Sequence, residues 1–469
     1  MLPDPQEKPL AALLAPDILD LLEENPSAVA AETEELHPAD LADVAELIPR
    51  EQVAAFLAAL PPARAADVLE YLNEELRNDL LEEIPARQAA ALVSQMTPDD
   101  RTDALETMDQ DAAAEIVSEL PAEARAETER LRQYEPDTAG GLMTTEFVSL
   151  SEDMAVDEAF TAVRALARSG RKEATYAIYA TGTDGRLKGV LSLRELLAAA
   201  PGATIADVAR TEVVSVTPNV DRQEVARITA DYDLMAVPVV SESGHLMGVV
   251  TVDDVIDVIQ EEQTEDIQKM GGMEALDEPY MSIGFLGMIR KRGVWLCVLF
   301  VGELATASAM QGFEEELKRA IVLSLFVPLI VSSGGNSGSQ ATSLIIRAMA
   351  LGELGVKDWW RVAARELPMG LTLGLMLGGL GVVRVVLWQQ LGIWDYGPHY
   401  VLLALTVGIS VTGVVTFGTL IGSMLPFALR RLGLDPASAS APFVATLVDV
   451  TGLIIYFMVA LLLLRGTLL

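Results

Sequence analysis

Residues 290–469 contain five apolar stretches, and these decide what the chain can become. They run over 294–313, 320–346, 367–391, 401–425 and 442–464, each close to or above the roughly 20 residues that a helix needs to cross a bilayer. The last, "PFVATLVDVTGLIIYFMVALLLL", is the most demanding, because it carries Asp449 inside an otherwise apolar run. A bare carboxylate at membrane depth is costly and is retained where it faces a bundle interior, a partner charge or water.

Charge separates this half from the rest. Residues 281–469 hold 13 Lys and Arg against 10 Asp and Glu, a charge of +3. Residues 1–280 hold 20 against 58, a charge of −38. An acidic surface of that size argues against nucleic acid and anionic lipid as partners and for cations. Cys297 is the single cysteine and there are three histidines, far apart in sequence. The chain is therefore poor in ligands for zinc, copper or iron and rich in oxygen ligands, which suit hard metal ions. The N-terminus "MLPDPQEKPL" lacks the basic and apolar regions of a signal peptide, so the acidic half is expected to be cytoplasmic.

Positive residues in the short connections give the same sidedness. Arg290, Lys291, Arg292, Arg347, Lys357, Arg361, Arg365, Arg430 and Arg431 fall on one side. Only Lys318, Arg319 and Arg465 fall on the other, which places the C-terminus outside. On this topology Asp449 lies roughly 11 Å in from the cytoplasmic face and Asn336–Gln340 roughly 10–16 Å in from the same face. Carboxylate and amides share a layer. The second stretch reads "VPLIVSSGGNSGSQATSLIIRA", whose Pro328, Gly334, Gly335 and Gly338 are expected to weaken a helix. Either a water-lined path or close packing through small residues would accommodate them. Gly418 and Gly422 form a GxxxG pair in the fourth stretch, a packing signal. Arg384 is expected to snorkel outward, and Glu303 either to hydrogen-bond within the bundle or to serve a pore.

The acidic half carries two repeats. From His37, units of 23–24 residues recur ("HPADLADVAELIPREQVAAFLAAL", "PPARAADVLEYLNEELRNDLLEEI"), each reading as two short amphipathic helices with Pro38, Pro62 and Pro85 at helix starts. Such units bury their apolar faces only by stacking, so a helical array to about Tyr134 is expected. Next come two copies of strand, helix, strand pair and helix, the pairs turning at "TDGR" and "ESGH". "PVV…GHLMGVVTVDDV" resembles a cystathionine-β-synthase (CBS) module, and "GRLKGVLSLREL" is a weaker match. The resemblance implies a pair of regulatory modules that can bind an adenine nucleotide such as ATP, with Thr251 and Asp254 at the ribose and phosphate position. The alternative is an empty pair used for dimerisation. A connector then crowds Asp257, Glu261, Glu262, Glu265 and Asp266 onto helical faces, where like charges repel unless a cation intervenes.

Taken in order, the array, the module pair, the acidic connector and the motifs "GGNSGSQATSLIIRA", "GSMLPFALRRLGLDPA" and "PFVATLVDVTGLIIYF" resemble the MgtE family of magnesium channels. The resemblance covers nearly the whole chain. It implies a multidomain fold: an α-helical superhelical N domain (1–136), an α/β CBS pair (137–202 and 203–262), a plug-like connecting helix (263–289) and an all-α pore domain with five transmembrane helices (290–469). It further implies a homodimer in the cell membrane that imports Mg2+ and is closed by cytoplasmic Mg2+. Asp449 matches the pore aspartate, with Asn336 and Gln340 in its layer, and Asp435 matches an acidic residue at the inner mouth. The ion sensor maps onto Asp99, Asp103, Asp221, Asp233, Asp254, Asp257, Glu262, Glu265 and Asp266. Gln223 and Leu234 fall where sensor and nucleotide contacts vary. A carrier of another hard dication, such as Mn2+ or Co2+, is the nearest rival reading. A chloride channel would require more spans, and the lack of HExxH, GxSxG and P-loop motifs argues against an enzyme.

Overall fold

The computed structural model describes residues 8–168, 177–276, 280–281 and 283–468. Contacts divide it into two units, Met1–Ile259 and Gln260–Leu469.

The first unit begins with helices that pair as the repeat predicts. Pro38–Leu47, Arg50–Ala59, Pro62–Tyr71, Glu74–Glu83, Ala86–Val93, Pro98–Glu106, Gln110–Glu119 and Ala122–Leu131 follow two further helices, Pro9–Glu24 and Pro26–Glu32. Pro38 and Pro62 open their helices, where a missing N–H costs nothing; Pro85 stands one residue before its own. Leu41, Val44, Phe56, Val68, Leu69, Val93 and Leu105 are buried in one apolar cluster that runs from Ala11 to Leu120. Each helix has a single apolar stripe, so a stack of them encloses one elongated core.

Two α/β modules complete this unit. In the first, β1 (Val148–Ser151) pairs in parallel with β2 (Ile178–Thr181), which pairs antiparallel with β3 (Leu187–Leu191). In the second, β4 (Ala236–Val240) and β5 (Leu246–Thr251) are antiparallel. The leading strand expected in the second copy is reduced to one parallel bridge, Val216 with Val239. Both strand pairs turn where predicted, at Gly185 (φ +76°) and Gly244 (φ +82°), a backbone region that favours glycine. The two turns also meet, with Leu187 N donating to Gly244 O at 3.0 Å.

The helical part of the connector is 263–270, the end of a helix that starts at Val252 and runs to Met270. Among the described residues, five helices are long and apolar enough to span a membrane: Phe285–Gly312, Ile321–Ala350, Val356–Gln390, Tyr400–Arg431 and Ala441–Leu464, with a short helix, Glu314–Arg319, after the first. The first starts nine residues before the predicted 294, and the third eleven before the predicted 367. Hydropathy marks the apolar core, whereas helical hydrogen bonding continues through polar flanks such as Arg361, Arg365 and Glu366. The Arg384 guanidinium lies 4.0 Å from the Trp388 ring centroid, one turn nearer the end of its helix, and 5.7 Å from that of Phe326.

The expected weakness at "GGNSGSQ" is overturned: Val327–Ala350 is one continuous helix. Its glycines are contact points. A Cβ at Gly338 would lie 2.9 Å from Gly418 O, one at Gly418 2.4 Å from Gly334 O, and one at Gly422 2.1 Å from Gly338 O. Hydroxyls fasten the seam, Thr342 Oγ1 donating to Gly422 O at 2.8 Å and Ser337 pairing with Thr419 at 2.6 Å. Gly422→Val should therefore cost about 1–3 kcal/mol of overpacking, read as a lower midpoint of thermal unfolding in detergent. Gly379→Ala, with nothing within 4 Å of the new methyl, should leave that midpoint unchanged.

Candidate ion pathway and acidic sites

The glycine seam sets where Asp449 points. Gly334 sits against Val414 and Val448, which turns the neighbouring Gly335 toward the fifth span, and a Cβ there would meet Ala445 at 3.5 Å and Asp449 Oδ1 at 4.0 Å. Asp449 is half-buried, while Asn336 and Gln340, one turn apart, lie on an exposed face of the second span beside Gly335. Ser339 Oγ donates to Ala441 O at 3.2 Å, tying this layer to the start of the fifth span. Glu303 is exposed on the first span, on a helix that runs so close to the fifth that a Cβ at Gly302 would meet Thr446 at 2.5 Å.

Asp435 stands at the turn before the fifth span. Its Oδ1 accepts from Ala437 N at 2.8 Å and its Oδ2 from Lys269 Nζ at 2.6 Å. Lys269 also pairs with Glu265, one turn earlier on its helix. Burial opposes the ammonium, but these bonds outweigh it and push Lys269 up to about 12. Asp266 is pushed up to about 6 by burial, then by Asp435 and Glu262. Glu265 and Asp435 thus meet on a lysine that the sequence reading did not single out, with Asp266 beside them and Glu262 one turn before Asp266.

A second cluster lies within the first unit. Two helices there begin with the same grammar, "TPDD" at 97–100 and "TVDD" at 251–254. In each, the threonine hydroxyl donates to the second aspartate: Thr97 to Asp100 Oδ2 at 2.7 Å and Thr251 to Asp254 Oδ2 at 2.6 Å. The two helix starts are near enough for Asp254 to feel Asp99 and Asp100, and for Asp100 to feel Asp253 and Asp257. Asp99 is 4% exposed and neither carboxylate oxygen has a hydrogen-bond partner. Burial, and then Asp100, push it up to about 7. Burial and Asp99 hold Asp254 well above the usual carboxylate range. Helix N-termini favour negative charge, but an orphaned buried carboxylate among four others has the chemistry of a cation site. Asp103 follows one turn later, beside Asp99 and Asp100.

Of the expected sensor residues, Asp99, Asp103, Asp254 and Asp257 thus gather here, and Glu262, Glu265 and Asp266 gather with Asp435. Asp221 and Asp233 join neither set. Asp221 caps its helix, accepting from Gln223 N at 2.8 Å, and Asp233 ends the same helix in the left-handed region at φ +50°. Asp100 and Asp253 were missed, although the duplicated T-x-D-D could have revealed them. Among the described residues no three His, Cys, Asp or Glu side chains of the chain converge closely enough to hold a metal ion unaided.

Comparison with known proteins covers each part of the chain. The MgtE divalent cation transporter family matches residues 327–459, the MgtE intracellular N domain 36–137, and CBS domains 139–202 and 205–261. The magnesium transporter MgtE of Thermus thermophilus is 44% identical over 342 residues, 73% of each chain. That of Enterococcus faecalis is 33% identical over 344 residues, again 73% of each. A crystal structure of the soluble part of a magnesium transporter is 31% identical, with a TM-score of 0.51 over 54% of this chain and 99% of the other. The chain belongs to the MgtE family of divalent cation transporters.

Proposed function

We propose that the protein is a homodimeric magnesium channel that imports Mg2+ through a path lined by the second and fifth spans and is closed by cytoplasmic Mg2+ bound to its acidic sites. The observation that carries this reading is Asp449 facing Gly335, with Asn336 and Gln340 on the adjoining open face. Magnesium gives up its water reluctantly. A carboxylate from each of two copies, with amide oxygens nearby, can recognise the hydrated ion through its waters, and the ion's charge offsets the cost of burying the carboxylates. The first span buries none of its residues in the single chain, so its faces are open to lipid or to a second copy. The distribution of Lys and Arg supports a cytoplasmic acidic half and an external C-terminus.

Closure follows from charge. With cations scarce, the carboxylates at 99–103 and 253–257 and those at 262–266 and 435 repel their neighbours. Divalent ions remove that repulsion and favour the compact arrangement, so that several ions binding one state better than the other make the response steep. Magnesium is preferred to Mn2+ or Co2+ because Asp449 is expected to meet an ion that keeps its waters, without imidazole or thiolate nearby. The module pair also offers a place for ATP at Thr251 and Asp254, although here the threonine hydroxyl is already engaged by the aspartate.

Asp449→Asn should abolish Mg2+ uptake into proteoliposomes while gel filtration still shows a folded dimer; wild-type uptake would take Asp449 out of the path. The acidic cluster makes a second expectation. Asp99 titrates near 7 in the folded chain against an ordinary 3.8, so unfolding releases its proton between these values and the first unit loses stability as pH rises from about 4 to about 7. In EDTA, hydrogen exchange of the 98–106 amides, corrected for intrinsic rates, should become less protected over that window. Magnesium should restore protection at pH 7, and Asp99→Asn should reduce both effects, the raised Asp103 and Asp254 keeping part of each.

A further inference from the structure

The inner-mouth carboxylates already have a cation. Lys269 Nζ lies 2.6 Å from Asp435 Oδ2, joining residues 166 apart in sequence, and it also pairs with Glu265 on its own helix. The other Asp435 oxygen is taken by Ala437 N. Each oxygen keeps a further lone pair, so an ion that coordinates Asp435 either shares the carboxylate with Lys269 or displaces the ammonium from it. We propose that Lys269 is the built-in counter-ion of this site, and that a divalent cation binds there by displacing its ammonium from Asp435. The inference rests on the reading of Glu262, Glu265, Asp266 and Asp435 as ion-sensing carboxylates, and specifies what the ion competes with.

Three features fit an exchange. One ammonium among four carboxylates leaves the site strongly negative, so it remains attractive to a dication. The Lys269 and Asp435 side chains are 27% and 38% exposed, within reach of a hydrated ion. Lys269 has a second carboxylate at i−4, so once released it can remain on Glu265 without stranding its charge. In the absence of divalent ions the lysine holds the end of the Val252–Met270 helix to the 435–438 turn, assisted by Met270 packed on Ala437 and Ala439. The ion then replaces one charge with two. Lys269 sets the concentration at which that happens.

The test compares full-length wild type, Lys269→Met and Lys269→Arg in detergent, following hydrogen exchange of the 260–270 amides in EDTA and across a magnesium chloride titration. Lys269→Met keeps the stem and removes the charge. It should lose protection in EDTA and reach half-maximal protection at a magnesium concentration lower by roughly tenfold, the order expected for removing a cation that repels the ion. Lys269→Arg should stay near wild type. An unchanged or higher midpoint in a folded Lys269→Met dimer overturns displacement. Exchange that ignores magnesium in all three proteins removes the sensing reading, and displacement with it.

Discussion

Backbone pressed against backbone holds the membrane unit in register, and what Asp449 can do depends on it. Lipid tails are as apolar as leucine, so spans gain little from hiding apolar surface from one another. What remains is short-range dispersion and hydrogen bonding, and both need close approach. Gly334 and Gly338 on the second span, set against Gly418 and Gly422 on the fourth, provide it. Thr342 and Ser337 reach across the seam to add hydroxyl contacts. With the second span fixed in rotation, Gly335 faces Asp449 and the two amides emerge beside it. Rotating the helix by one residue would bring Asn336 to the place now kept open by a hydrogen atom.

Much of this was legible in the sequence, and what escaped did so for identifiable reasons. The spans, the lone carboxylate at 449 and the repeat from His37 stand out because hydropathy and period are local properties. "GGNSGSQ" was misjudged because glycine is a poor helix former when isolated, whereas here the neighbouring spans repay each glycine with a contact. The leading strand of the second module shrank to a single bridge because pairing there depends on a partner elsewhere in the chain. The Lys269–Asp435 pair joins residues with no local pattern to connect them. Asp100 and Asp253 were visible only as the second occurrence of a four-residue grammar, and a repeat that short is easily overlooked.

Both acidic sites obey one electrostatic logic and resolve it differently. At the two T-x-D-D helix starts, threonines satisfy one aspartate of each pair and leave Asp99 buried with nothing to accept from. At the turn before the fifth span, a lysine provides partial neutralisation from within the chain. The first arrangement leaves buried negative charge without a partner; the second is partly satisfied.

The stacked helices of the first unit bear on how the chain is made. Their core continues from Ala11 to Leu120, yet each helix packs chiefly on others close to it in sequence. Contacts of short sequence separation close small loops and form quickly. Stacked repeats of this kind can nucleate at any point and grow outward. As the chain leaves the ribosome N-terminus first, the array can therefore be complete while the five spans are still being synthesised. The most heavily charged part of the molecule would be folded before its most insoluble part emerges, limiting the time that apolar faces of the array spend uncovered.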